Sequence, residues 1–253
     1  MKYDTELCTI LEKRQLTADI FDMMVSAPKL APLAKPGQFA QILVPGKTLR
    51  RPISLCGIGK DTLRFVFQVR GEGTKVLAEL QAGDSMDILA PLGNGFPVET
   101  AGADKHAVFV GGGIGVPPLL GAASAFSGEK TAVLGFRGKD AVILMKDFVH
   151  AGCEAFLTTD DGSFGVHGLV TDVMQNLTFD VCYACGPAPM LRAVVKLCAE
   201  RNVPCYVSME QRMACGIGAC LGCAVELRRE DGSSYYGHVC KDGPVFSADR
   251  VVL

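Results

Sequence analysis

No charge of one sign dominates this chain: 25 Lys and Arg stand against 27 Asp and Glu, a formal net charge of −2 over 253 residues. A nucleic-acid footprint or an acidic tail needs a block of one sign, so neither is expected, and the partners are expected to be small molecules or another protein. The start, Met1-Lys-Tyr-Asp-Thr-Glu6, lacks the basic-then-apolar order of a secretory signal, which makes the cytoplasm the expected compartment. An even cysteine count is also missing. The eleven cysteines sit in a chain too long for a disulfide mini-protein, which argues against a secreted disulfide framework. Long uncharged runs are scarce: 107–126 is long enough to span a bilayer, but Gly111-Gly112-Gly113 and Pro117-Pro118 divide it into a strand, a turn and a helix start. No membrane contact is expected.

What is present is concentrated near the C-terminal end. Cys215, Cys220 and Cys223 form a C-x4-C-x2-C run, and Cys240 follows after a hairpin-like segment. That spacing is the plant-type ferredoxin pattern for a 2Fe–2S cluster, whose two irons need four converging thiolates. Gly216, Gly218 and Gly222 let the backbone wrap closely around inorganic sulfide. A structural zinc site would show two C-x2-C knuckles, and this chain has one. Simple core packing does not explain three thiols within nine residues of Gly-rich loop. His238 is a conceivable Rieske-type ligand, but with four cysteines available it reads more simply as a neighbour of the site.

The rest of the chain reads in two blocks. From Thr5 to about Val98, short alternating segments such as 38–44 and 62–70 are separated by Pro36-Gly37, Pro45-Gly46 and Gly83-Asp84, which predicts a small antiparallel β-barrel over residues 1–100. Within it, Arg51-Pro52-Ile53-Ser54 offers a guanidinium fork for a phosphate and a hydroxyl for a ring nitrogen, though an Arg-Pro turn between strands would look the same. Gly71-Glu72-Gly73-Thr74 leads into a helical segment. Its amides suit a diphosphate, or it is an ordinary junction capped by Thr74.

After Lys105 strands and helices alternate, which predicts an α/β nucleotide domain with a parallel sheet over 101–205. Strands are expected at 106–110, 131–136, 154–158 and 179–184, and helices at 141–149, 167–176 and 188–201. Gly111-Gly-Gly-Ile-Gly115 follows the first strand, with prolines where a dinucleotide fingerprint has its third glycine. Asp160 and Asp161 can meet ribose hydroxyls or simply make a turn. Cys185 sits where a reactive ring can lie, or is a small buried residue. Arg137 and Lys139 can meet a 2′-phosphate or be solvated. A strand at 207–209, the cysteine loop and a hairpin of 224–228 with 234–238 make a small ferredoxin-like cluster domain over 206–253.

Together these stretches resemble the ferredoxin–NADP reductase superfamily. More narrowly, 209–223 (MEQRMACGIGACLGC) and 237–246 (GHVCKDGPVF) resemble the electron-transfer subunits of type B dihydroorotate dehydrogenases. The resemblance implies FAD on Arg51, Pro52, Ile53 and Ser54, its diphosphate held by Arg51, with Phe67, Gln68, Val69, Gly73 and Thr74 adding flavin and ribityl contacts. It implies NAD over Gly111, Gly113, Gly115, Asp160 and Cys185, and the cluster on Cys215, Cys220, Cys223 and Cys240. It further implies a separate FMN-bearing catalytic subunit that oxidises dihydroorotate, two of each chain forming a heterotetramer in pyrimidine biosynthesis. A flavin that accepts two electrons or one is needed between NAD and a one-electron cluster. The C-terminal Val251-Val-Leu253 departs from the superfamily's flavin-stacking aromatic end. A ferredoxin:NAD(P) reductase or sulfide dehydrogenase subunit shares these cofactors, but such relatives often carry Asp where Cys215 stands. A zinc-stabilised binding module without redox activity is the remaining alternative.

Overall fold

The computed structural model describes residues 3–100 and 102–253. Six antiparallel strands, β1 (Asp4–Gln15), β2 (Ile20–Ser26), β3 (Phe39–Ile42), β4 (Arg51–Ile58), β5 (Thr62–Gln68) and β6 (Ser85–Leu92), close a barrel in the order β1-β2-β5-β4-β3-β6. Helix α1 (Glu72–Glu79) follows β5. Alternation decides which side chains enter the barrel. Ala40 and Ile42 of β3 point into its core with Ile10, Met23, Leu55 and Phe65. Phe39 belongs instead to a core shared with the C-terminal segment.

The second unit is a sheet ordered β10-β9-β8-β7-β11-β12-β15. Its strands are β7 (His106–Gly112), β8 (Glu129–Phe136), β9 (Glu154–Thr159), β10 (Val166–His167), β11 (Val181–Cys185) and β12 (Cys205–Ser208), all parallel, with antiparallel β15 (Val245–Ser247) at the edge. The inner strands are apolar on both faces, as helices on both sides require. Ala107, Phe109, Tyr183 and Cys185 face α2 (Pro117–Ala125) and α3 (Met145–His150). Val108, Val110, Cys182 and Ala184 face α4 (Val170–Met174) and α5 (Ala188–Glu200). The 107–126 run is therefore strand, turn and helix. Pro117 and Pro118 occupy the first turn of α2, where no N–H is needed. No helix among the described residues is long and apolar enough to cross a membrane.

Two helices differ from expectation. The helix predicted over 141–149 is a 3-10 turn at Lys139–Ala141 followed by α3, because Leu144 adopts a left-handed conformation (φ 59°) that no continuous helix accepts. The one predicted over 167–176 is shortened to α4 because Gly168 (φ 132°) breaks it from β10.

The cysteine segment ends in the hairpin of β13 (Ala224–Arg228) and β14 (Ser234–His238), paired Ala224 with His238 through Arg228 with Ser234. It is stitched to both other units. β15 pairs with β12, and Asn94, just beyond β6, donates its backbone N–H to Gly243 (2.6 Å) and its side chain to Lys241 and Asp242 carbonyls (3.1 and 3.0 Å).

Candidate redox site

The carboxyl edge of the parallel sheet is level: Cys185 pairs with Gly111 on one side and with Ser208 on the other. Where that edge meets the barrel lies a cleft of about 670 Å³. Arg51, Pro52, Ile53 and Ser54 line it from β4, Phe67 and Gln68 from β5, and Thr74 from α1; Ile114, Pro118 and Cys185 close it from the sheet. Ser208 to Met213, the segment leading from β12 into the cysteine loop, forms a further wall. The run 209–223 carries the family resemblance, but nothing in it says that its first residues wall this cleft. The signal for the wall is register: a strand beside β11 that ends at Ser208 must deliver the next residues to the mouth of the same cleft.

Arg51 is a free fork in this cleft. Its Nη1 donates only to the carbonyls of Leu49 (2.6 Å) and Arg50 (3.4 Å), and among the described residues it has no carboxylate partner. Gly73 lies against it, since a Cβ there would overlap the Nε and stand 2.7 Å from Cζ. An unneutralised guanidinium beside the amides of a helix start suits a diphosphate. Thr74 caps α1 from its third position, Gly71 being the N-cap residue itself. From there its hydroxyl accepts the N–H groups of Arg70 (2.8 Å) and Gly71 (3.2 Å), so it shapes the turn that carries those amides. Val69 closes β5, its N–H donated to Asp19 (2.8 Å), outside the cleft lining.

At the sheet edge, burial and the Glu210 carboxylate push the Cys185 thiol up to about 12, so it is a neutral group at pH 7. Gly115 packs against the backbone of Cys185: a Cβ would lie 2.5 Å from that carbonyl oxygen. Gly111 similarly admits Val116, at 2.7 Å from a Cβ, while Gly113 (φ 54°) faces open space. Asp160 is further along, at the end of β9, held by its N–H to Phe136 (3.0 Å) and not in the cleft. Its loop meets the one after β8: the Asp161 N–H reaches the Arg137 carbonyl (3.3 Å) and Ser163 Oγ accepts the Lys139 N–H (2.8 Å). Hydrogen bonds from the Ser163 hydroxyl and amide hold the Asp161 carboxyl below its usual range.

The four cysteines of the motif meet in two pairs, Cys223 with Cys240 and Cys215 with Cys220. Cys223 and Cys240 are buried with Sγ atoms 3.3 Å apart, and Cys215 and Cys220 are partly exposed. Backbone N–H groups point at sulfur from Gly218 to Cys240 (3.2 Å) and from Cys220 to Cys215 (3.4 Å). Partial desolvation raises the Cys215 thiol, but the amides of Ile217, Cys220 and Ala219 outweigh it and bring it down to about 6. Four thiols, two of them (Cys215 and Cys240) with amides aimed at them, beside a positive-φ glycine loop (Gly216 72°, Gly218 81°) suit an anionic iron–sulfur group. Beneath the loop Gln41 of β3 is fully buried with both amide atoms unpaired, a cost of about 1–3 kcal/mol if nothing else met them.

Another cysteine group has a different character. Cys182, Cys198 and Cys205 bring their sulfurs within 4.8 Å of one another inside the core between β11, β12 and α5. Burial holds the Cys182 thiol well above its usual range, while hydrogen bonds from Cys182 and Cys205 draw the Cys198 thiol down.

Comparison with known proteins agrees with this geometry. Residues 210–252 match the family described as the iron-sulfur cluster binding domain of dihydroorotate dehydrogenase B. The chain is 45% identical to the dihydroorotate dehydrogenase B (NAD(+)) electron transfer subunit of Geobacillus kaustophilus and 44% identical to that of Bacillus caldolyticus, in each case over 98% of both chains. Its fold is similar to a structure of the NADH-dependent reduced ferredoxin-NADP oxidoreductase (TM-score 0.86, 31% identity, 98% of this chain and 91% of that one). A ferredoxin NADP+ reductase from Neisseria gonorrhoeae with bound FAD and NADP shares the fold alone (TM-score 0.61, 16% identity, 79% and 92% covered). The chain belongs to the family of electron transfer subunits of dihydroorotate dehydrogenase B (NAD(+)).

Proposed function

We propose that this chain relays electrons from an FMN-bearing dihydroorotate dehydrogenase catalytic subunit, in a heterotetramer of two copies of each, through a 2Fe–2S cluster and FAD to NAD+. The carrying observation is the single cleft walled by Arg51–Ser54, by Cys185 and by the segment that runs into the cysteine loop. When bound, FAD exchanges two electrons as hydride with NAD and single electrons with the cluster.

The chain's own residues do the placing. Arg51 and the amides before α1 hold the flavin diphosphate, and Gly73 leaves room for the guanidinium to reach it. Pro52, Ile53, Ser54, Phe67, Gln68 and Thr74 position the rest of the flavin, and Val69, outside the lining, supports it only through the end of β5. Gly111, Gly113 and Gly115 let NAD approach the sheet edge, with its nicotinamide at Cys185 and its ribose toward the Asp160 loop. A neutral Cys185 thiol puts no charge beside the ring. Cys215, Cys220, Cys223 and Cys240 hold the cluster. The expected limits at 100 and 205 assign FAD, NAD and the cluster to successive units, but the limit at 205 falls inside β12, so the nucleotide unit runs on to Ser208 and takes β15 from the C-terminal segment.

The similarity to the reduced ferredoxin-NADP oxidoreductase structure supports a second circuit with the same cofactors, at lower identity. Anaerobic co-expression with the FMN subunit separates the two. The expected result is FAD, iron and acid-labile sulfide in this chain, and dihydroorotate-dependent NAD+ reduction by the complex only. Turnover of dihydroorotate by the purified chain alone would refute the assignment.

A further inference from the structure

Gln41 lies in β3, paired opposite Pro52 in the strand that carries Arg51 and Ser54. Strand alternation turns Ala40 and Ile42 into the barrel and Gln41 outward. That outward face is covered: Gln41 is 0% exposed. What covers it is the cysteine loop. A Cβ built on Gly216, the residue after Cys215, would stand 2.6 Å from Gln41 Cγ and 2.7 Å from its Nε2. Gly216 holds a φ of 72°, so the loop passes over the amide with its side-chain side pressed against it.

The amide is also unspent. Among the described residues neither Nε2 nor Oε1 has a hydrogen-bond partner, and a buried carboxamide with both atoms unpaired is rare. Its backbone, by contrast, is tied into the sheet, with its carbonyl accepting from Arg50 Nη1 (3.2 Å). A rigid strand therefore holds an unpaired N–H donor against the loop beside Cys215, where anionic sulfur accumulates when four thiolates bind iron.

We propose that the Gln41 side chain donates a hydrogen bond to a sulfur of the 2Fe–2S site, and that this bond from the flavin-side barrel raises the reduction potential of the cluster. The proposal rests on the reading that Cys215, Cys220, Cys223 and Cys240 hold such a cluster. Reduction adds negative charge to the sulfurs, so a donor stabilises the reduced form more than the oxidised one. Gln41 is a tuning residue and ligates nothing.

The test is Gln41→Met, which keeps length and loses both N–H groups, measured in the anaerobic holoprotein by EPR-monitored redox titration. A three- to tenfold fall in the equilibrium constant for cluster reduction is expected, tenfold being 59 mV for one electron. The flavin midpoint should not move. An unchanged cluster midpoint in Gln41→Met would overturn the proposal while leaving the cluster itself in place. A wild-type preparation without a 2Fe–2S signal would instead remove the reading beneath it. Should the variant not fold, wild-type protein labelled with 15N in glutamine side chains gives an independent readout: hyperfine coupling from that nitrogen to the reduced cluster is expected, and its absence refutes the bond.

Discussion

Gly73→Ala is expected to separate the stability of the empty barrel from its affinity for FAD. The new methyl would overlap Arg51 Nε and lie 2.7 Å from Cζ and Nη2, and from no backbone atom among the three nearest. The guanidinium is the far end of a flexible side chain, so it swings aside and the fold survives. Helix α1 then gains an alanine near its start, worth about 0.5–1 kcal/mol. Arg51, displaced from the cleft, no longer meets the diphosphate. A hydrogen bond to a charged group contributes about 1.5–3 kcal/mol, so FAD should bind about ten- to a hundredfold more weakly. Flavin fluorescence titration of the apoprotein measures the affinity, and thermal unfolding without FAD measures the stability. Arg51→Ala should match the loss of affinity and lack the gain in stability. FAD affinity within twofold of wild type in Gly73→Ala would show that Arg51 does not hold the diphosphate.

Cys220→Ser should abolish cluster-dependent transfer to the partner while NADH reduction of an artificial acceptor persists; loss of both would make the cluster a structural element. Gly115→Ala forces a methyl to 2.5 Å from the Cys185 carbonyl oxygen and 2.7 Å from Gly186 Cα, both backbone, and should cost about 1–3 kcal/mol in urea unfolding. Arg64→Met strands Asp22, 3% exposed and bonded twice by Arg64 (2.9 Å each), with only the half-exposed Arg14, and should cost about 3 kcal/mol. Asp147→Asn, which breaks only the link from Arg64 across to α3 (2.6 Å), should cost about 1 kcal/mol or less. After iron removal, Cys215 should be the motif cysteine most readily alkylated at pH 7, because at a pKa of about 6 it is mostly thiolate; its rate should fall as pH drops through 6, whereas Cys240, pushed up to about 12, stays a thiol.

The barrel and the parallel sheet were legible because each rests on a local period that the sequence states openly: alternation in 62–68, and uninterrupted apolar strands followed by helices in β7 and β11. The hairpin of β13 and β14 was legible to the residue because Asp231-Gly232, with Gly232 at φ 84°, marks its turn. The shortened α3 was not legible. The run Ala141-Val-Ile-Leu-Met145 is apolar throughout, and only the tertiary demand that Ile143 and Leu144 both reach one core explains the left-handed turn at Leu144. The wall from Ser208 to Met213 and the amide of Gln41 were invisible for a related reason. The place each takes in the site comes only from pairing between strands, β11 with β12 and β3 with β4, whose register no local pattern states.

The same registers explain how three cofactors can hold fixed separations in a chain of three units. A cluster domain hung on a linker would let the cysteine loop wander relative to the flavin cleft. Here the loop leaves the sheet at Ser208, one strand from Cys185, and the chain returns to that sheet as β15. Between these anchors, Asn94 at the barrel exit binds the carbonyls of Lys241, Asp242 and Gly243, immediately after Cys240. Gly93 (φ 72°) admits this contact, since a Cβ there would lie 2.5 Å from the Gly243 oxygen. Cys223, Cys240 and Phe39 consequently share one apolar core with the nucleotide sheet. Backbone pairing thus fixes the distance between the cysteine loop and the cleft, and surface changes that spare these pairs should leave the electron path unaltered.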